Sequence, residues 1–373
     1  MNKKNILIID DSALMRRVLS DIINSDERFT VCDVASNGLE AYDKITLHPK
    51  LYDVILLDIN MPKMNGIEFM EEINRLKLKL TVIVVSTIAV EGAAETIRLL
   101  ELGAFDFVTK PNSFSEAKEN TFQENVLTCL ACAAGFDRME SRHKHKLDPP
   151  KLPKPAGNET TPVISAKETV VRKPHKAVGK EARKLVALAC STGGPKALQQ
   201  VIPRLPKNMD APMVIVQHMP AGFTDTLATR LNELSAVSVK EAADGDVLQK
   251  GSVYVAKGGS QLRVVKRGSE YVLAVTDEPA RNALRPCADI LYESLLESDY
   301  DDITCVVLTG MGRDGTVGIK QLNDKRNIYV IGQEASTCTV YGMPRALYEA
   351  GLTDVVVPLD EVADTIIKNV GVR

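Results

Sequence analysis

The chain has 373 residues, too many for one ordinary core, so two globular domains are expected. With 45% hydrophobic and 25% charged residues and a net charge of -3, the composition is that of a globular protein and gives no general attraction to nucleic acid. The basic start Met1–Asn5 runs into an apolar stretch, Ile6–Ile9, too short for a signal-peptide core, and no run of about 18 apolar residues could cross a bilayer as a helix. Seven cysteines, odd in number and scattered through apolar segments, suit a reducing compartment, so a cytoplasmic location without membrane insertion is expected. Cys129 and Cys132 form a C-x-x-C with no second Cys/His pair at ligand spacing, which favours helix packing over zinc or redox chemistry.

Residues 1–125 alternate β-rich runs with amphipathic stretches, the pattern of a parallel sheet covered by helices on both faces. Strands are predicted at Ile6–Ile9, Thr30–Ala35, Val54–Leu57, Val82–Val85 and Asp106–Val108, and helices at Leu14–Ile23, Gly38–Ile45, Ile67–Leu76 and Ala93–Leu102. Residues 126–184 read as a helix end and a tether: from about Arg138 the chain carries Pro149, Pro150, Pro153, Pro155, Pro162 and Pro174 among many Lys and Arg residues, with almost no apolar periodicity. Residues 185–373 begin with a buried strand, Leu185–Ala189, and a helix from Pro195. Met213–Val216, Thr304–Leu308 and Tyr329–Ile331 read as parallel strands. Ser252–Val255, Gln261–Lys266 and Tyr271–Thr276 read as a small antiparallel insertion with a turn at Lys266–Ser269. The second domain is thus expected to be a doubly wound parallel α/β unit with a small antiparallel element.

Parallel α/β sheets carry their chemistry at the carboxyl ends of strands. In the first domain those positions hold Asp10 and Asp11, Asp58, Ser86 and Thr87, and Lys110–Pro111. A single Asp at such a place is commonly a helix cap. Three carboxylates converging on one edge repel one another unless a cation joins them, and an oxygen-only set suits Mg²⁺. A nearby lysine and hydroxyl supply donors for a phosphoryl group carried by one carboxylate. With Met61–Pro62 after Asp58, this set resembles the receiver domain of two-component response regulators and implies a flavodoxin-like five-stranded domain. The resemblance implies that Asp58 takes phosphate from a histidine kinase, that Asp10, Asp11, Asp58 and the Asn60 backbone carbonyl hold Mg²⁺, and that Ser86 and Lys110 sense the phosphate.

In the second domain His218, in Gln217-His218-Met219-Pro220, is the sole imidazole available as a base near neutral pH. Ser191 lies in Ala189-Cys190-Ser191-Thr192-Gly193-Gly194-Pro195 between a strand and a helix, where glycines allow a tight turn and the helix N-terminus favours developing negative charge. Ala189 replaces the first Gly of a G-x-S-x-G elbow. The third piece is Thr309-Gly310-Met311-Gly312-Arg313-Asp314-Gly315, where Asp314 could orient the imidazole. The backbone amides of Thr192 and Met311 are the oxyanion candidates. Alone, a His after a strand is more often structural and a Ser in a glycine turn more often a cap; together they support a Ser-His-Asp triad.

These three stretches resemble the chemotaxis-receptor methylesterase domain. With the receiver in front, the whole chain resembles the family of chemotaxis protein-glutamate methylesterases/protein-glutamine glutaminases. The resemblance implies hydrolysis of γ-glutamyl methyl esters on methyl-accepting chemotaxis receptors, deamidation of receptor glutamines, and no cofactor in the catalytic domain. Cys190 departs from the small residue usual beside the nucleophile, and as a buried neutral thiol it is expected to be inert. The fused receiver further suggests that unphosphorylated residues 1–125 partly cover the hydrolase site.

Two other readings remain open from the residues. Gly310–Gly315 matches G-x-G-x-x-G after a strand, with Glu334 about 20 residues on, as in dinucleotide-binding enzymes, but it comes late in its domain. A non-catalytic output module finds little support, since no helix-turn-helix with a basic recognition helix is visible.

Overall fold

In a computed structural model the described residues are 3–87, 90–111, 120–136, 178–179 and 181–373. The proline- and lysine-rich tether, His175 included, lies outside them up to residue 177.

The first domain is a five-stranded parallel sheet of β1 (Lys4–Ile9), β2 (Phe29–Ala35), β3 (Val54–Asp58), β4 (Val82–Ser86) and β5 (Asp106–Thr109), in the order β2-β1-β3-β4-β5. This is a doubly wound, flavodoxin-like order with its switch between β1 and β3. All five residues of β3 and of β4 are buried, as strands sandwiched between helix layers must be. The helices α1 (Ala13–Asn24), α2 (Gly38–Leu47), α3 (Gly66–Arg75) and α4 (Val90–Glu101) fall where apolar periodicity places them. Helix α5 (Asn120–Ala133) packs Phe122, Val126 and Leu130 into the same core, so the packed unit runs past residue 125.

The second domain is a seven-stranded parallel sheet. Its strands are β6 (Lys184–Cys190), β7 (Met213–Gln217), β8 (Ser238–Glu241), β9 (Ser252–Val255), β12 (Asp302–Val307), β13 (Ile328–Gln333) and β14 (Val355–Val357), ordered β14-β13-β12-β6-β7-β9-β8. Helices α6 (Gly194–Val201), α7 (Phe223–Leu234), α8 (Ala288–Ser294), α9 (Thr316–Lys325), α10 (Met343–Glu349) and α11 (Val362–Val370) cover it. The antiparallel element is smaller than expected: only β10 (Gln261–Arg267) and β11 (Glu270–Thr276) pair, around Gly268 at φ 63. Ser252–Val255 instead pairs in parallel with β7 and β8, its last three residues being buried like those of any inner strand. The strands β8 and β14, not predicted, lie at the two edges, where half-exposed polar or very short runs give little periodic signal.

β6 lies between β7 and β12, so the chain leaves it toward one side and later returns on the other. That is the switch point where α/β sheets open a crevice at their strand ends.

Gly66 shows how tightly helix entry is built against a functional strand. A Cβ there would lie 2.6 Å from the Asp58 carbonyl oxygen and 3.1 Å from Ile59 Cα, both backbone atoms that cannot step aside. Gly66→Ala should lower stability by about 2 kcal/mol, measured as an earlier first transition in urea unfolding followed by circular dichroism.

Candidate active site and phosphoacceptor site

The first-domain strand ends bring together every carboxylate singled out there. One oxygen each of Asp10, Asp11 and Asp58 lies within 4.8 Å of the others. The Lys110 ammonium meets Asp58 Oδ1 at 2.7 Å and Asp10 Oδ2 at 2.9 Å. Asp10 is 1% exposed, and besides Lys110 its carboxylate accepts the Ser12 N–H at 2.8 Å. Burial pushes the Asp58 carboxyl up to about 6, with Lys110 opposing and Asp10 adding to the rise. An oxygen-only acidic set, with Asp10 and Asp58 buried and Asp11 exposed, is the donor chemistry that fits a hard divalent cation such as Mg²⁺.

Ser86 is buried and bound within its own strand–helix corner. Its hydroxyl reaches the Gly92 and Thr87 carbonyls and accepts from Thr96 Oγ1 at 2.7 Å. The Asn60 side chain points to Glu95, which leaves its backbone carbonyl as the group relevant to a cation.

In the second domain the three neighbouring strands β12, β6 and β7 end side by side and carry the loops of Asp314, Ser191 and His218. The backbone keeps them aligned beyond the strands: Ser191 N–H donates to Thr309 O at 3.0 Å and His218 N–H to Cys190 O at 3.2 Å. Gly193, at φ 76, turns the chain into α6, and a Cβ on Gly310 would lie 2.8 Å from Ser191 Cβ, so the two loops are in backbone contact.

Asp314 Oδ2 is 2.8 Å from His218 Nε2. The same carboxylate accepts the N–H groups of Ala288, Asp289 and Gly315 at 2.6, 3.1 and 3.0 Å, and the Cys287 thiol at 3.2 Å. Burial raises its pKa, but the imidazole and these amides outweigh that and hold the carboxyl down at about 2. An ionised carboxylate only accepts, so Nε2 carries the hydrogen and Nδ1 is left with the lone pair. The Cys287–Asp289 donors escape sequence reading because they come from a helix start about 25 residues away whose composition carries no signal.

The first domain sits over this site. Asp106 of β5 bonds the side chain of Thr192, next to Ser191, and burial there pushes its carboxyl up to about 6. Phe107 stacks on Phe223 of α7 at 4.7 Å, Cys132 of α5 meets Met311 Sδ at 2.9 Å, and Arg230 of α7 pairs with Glu101 of α4 at 2.7 Å. The remaining cavity, about 200 Å³, is lined by Asp106, Phe107, Cys132, Thr192, His218 and Met311. Cys129 and Cys132 take part in this packing on α5, and Cys190 is fully buried with its thiol pKa well above normal.

Fold and site define a class: a response-regulator receiver joined to a hydrolytic α/β domain with a serine, a histidine and an aspartate at its switch point. Residues 6–121 match the family described as response regulator receiver domain and residues 186–366 that described as CheB methylesterase. A protein-glutamate methylesterase/protein-glutamine glutaminase of Geobacillus kaustophilus is 38% identical over 372 residues, covering 100% of both chains. The Bacillus subtilis protein of that name is 39% identical over 364 residues, 97% of each. One from Syntrophomonas wolfei is 38% identical over 98% of this chain and 99% of its own. The chain belongs to the protein-glutamate methylesterase/protein-glutamine glutaminase family. The dinucleotide reading of Gly310–Gly315 gives way: Asp314 within it is turned onto His218 and the start of α8.

The Asp314 carboxyl, held at about 2, below its ordinary 3.8, adds stability that is fully present above about pH 4 and lost as pH falls through 2. Asp314→Asn should flatten the acid limb of stability by about 2 kcal/mol, measured by urea unfolding between pH 2 and 5.

Proposed function

We propose that Ser191, His218 and Asp314 form the acyl-transfer triad of this methylesterase and glutaminase. The chain demethylates glutamate methyl esters and deamidates glutamines in chemotaxis, and its substrates are γ-glutamyl side chains of methyl-accepting receptors. The observation that carries the triad is the ionised, five-donor Asp314 fixed on Nε2, because it sets the tautomer that leaves Nδ1 as base.

Ser191 Oγ attacks the side-chain carbonyl carbon while Nδ1 takes its proton. The oxyanion is met by the Thr192 and Met311 amides, because the Ser191 N–H is already held by Thr309 O. The imidazolium, stabilised by Asp314, returns the proton to the leaving group, giving methanol from an ester or ammonia from an amide. Water, deprotonated by the same nitrogen, attacks the acyl-serine and releases the glutamate carboxylate.

Asp58 is the phosphoacceptor, with a histidine kinase as donor and Lys110 and Ser86 as sensors. Asp10, Asp11, Asp58 and the Asn60 carbonyl would hold Mg²⁺, which neutralises charge as the phosphoryl group approaches. β5 and α5 stand across the substrate path: Asp106 bonds the Thr192 side chain and Cys132 lies against the Met311 side chain, beside the two backbone amides assigned to the oxyanion. Phosphorylation relieves this cover.

Ser191→Ala should abolish methanol release from methylated receptor membranes while leaving the thermal unfolding midpoint unchanged; substantial residual release contradicts the triad. Phe107→Ala, which removes the stacked ring at the seam, should raise the unphosphorylated rate several-fold, with little further gain on phosphorylation. An unchanged basal rate would rule out steric cover by this face.

A further inference from the structure

The Gln217 side chain links the nucleophile loop to the base loop. Gln217 is the last residue of β7 and is paired in register with Cys190, the last residue of β6; it is 1% exposed. Its Nε2 donates to two carbonyls at once, Ser191 O at 3.1 Å and His218 O at 3.2 Å. Its Oε1 accepts the Cys190 thiol at 3.0 Å. Beyond the strand ends one backbone bond remains between these loops, His218 N–H to Cys190 O. The Gln217 amide adds a second tie, at the residues that must exchange a proton.

The amide orientation follows from chemistry. Turned over, Oε1 would face two carbonyl oxygens, while the NH₂ would face a sulfur that is a poor acceptor. Burial keeps Cys190 protonated, so its thiol is a permanent donor to Oε1. Gly194 makes room for this arrangement: a Cβ there would lie 1.9 Å from Oε1.

Resting on the triad reading above, we infer that Gln217 is a positioning residue for the reaction, setting the approach of Ser191 to His218, and that Cys190 orients its amide. Cys190 is then the donor of a positioning network, not an inert neighbour of the nucleophile. Gln217 touches neither substrate nor reacting atoms, so its loss should act on the chemical step and leave substrate affinity nearly unchanged.

The experiment compares the full-length protein with Gln217→Met, which keeps the volume but cannot donate and accepts only weakly, and with Cys190→Ala, Cys190→Ser and Ser191→Ala. Four quantities are read: kcat and KM for methanol release, the rate of Ser191 modification by a small fluorophosphonate, and the thermal unfolding midpoint. Q217M should lower kcat by about ten- to a hundredfold, with KM within about threefold and a parallel drop in fluorophosphonate reactivity. C190A should lower kcat by a smaller factor, and C190S, which restores a donor, should recover part of that loss. If Q217M folds and retains kcat within about twofold while S191A is inactive, the positioning role is overturned and the triad stands. If Q217M does not fold, the cysteine pair decides: a C190A kcat equal to the parent overturns the network, and a loss that C190S partly restores supports it. An active S191A overturns the nucleophile and this inference with it.

Discussion

The backbone register of three adjacent parallel strands governs the second domain. β12, β6 and β7 are aligned by ladder bonds that continue past the sheet, from Leu308 N–H to Ala189 O, Ser191 N–H to Thr309 O and His218 N–H to Cys190 O. Each step places one loop beside the next, so the loops of Ser191, His218 and Asp314, far apart in sequence, are neighbours without any one loop being long. Asp314 completes the arrangement because its charge is compensated before substrate arrives: helix-start amides and a thiol hold it, and the imidazole is the remaining partner. A buried carboxylate so held is rigid, and rigidity at that atom fixes which imidazole nitrogen is basic.

The same strand-end logic is used a second time in the receiver. There the carboxylates are less fully compensated: Lys110 is shared between Asp10 and Asp58, each of which also accepts one backbone N–H, and Asp58 is pushed up to about 6. One domain therefore holds an acid in a finished set of bonds, while the other presents acids in need of cationic partners. One strand connects the two candidate sites. β5 carries Asp106 and Phe107 onto the hydrolase and leads directly into Lys110, which pairs with Asp58, the proposed phosphoacceptor. A shift of β5 on phosphorylation would be felt at Thr192 with no long chain of intermediates.

Much of this was legible in the sequence because strand ends are easy to locate. Short β-branched runs such as Val54–Leu57 and Val82–Val85 name their strands, and Asp58, Lys110, Ser191 and His218 follow within a residue or two. The sheet order, by contrast, depends on pairings no periodicity encodes, which is why Ser252–Val255 read as antiparallel and the edge strands Ser238–Glu241 and Val355–Val357 went unseen. The supports of the proposed triad are not legible for a related reason. Cys287 and Ala288 act through a thiol and a backbone amide, Gln217 through a side-chain amide between two carbonyls, and Asp106 across a domain seam. None has a residue type or spacing that announces the role; each is defined by what folds against it.

In the proposed mechanism one chain couples phosphorylation at Asp58 to acyl transfer at Ser191. Methanol release from methylated receptor membranes by the full-length protein, measured with and without a small phosphodonor and Mg²⁺, tests it most directly. A several-fold rise with the phosphodonor, absent in Asp58→Asn, is expected. A rate indifferent to the phosphodonor, or an equal rise in Asp58→Asn, would contradict it.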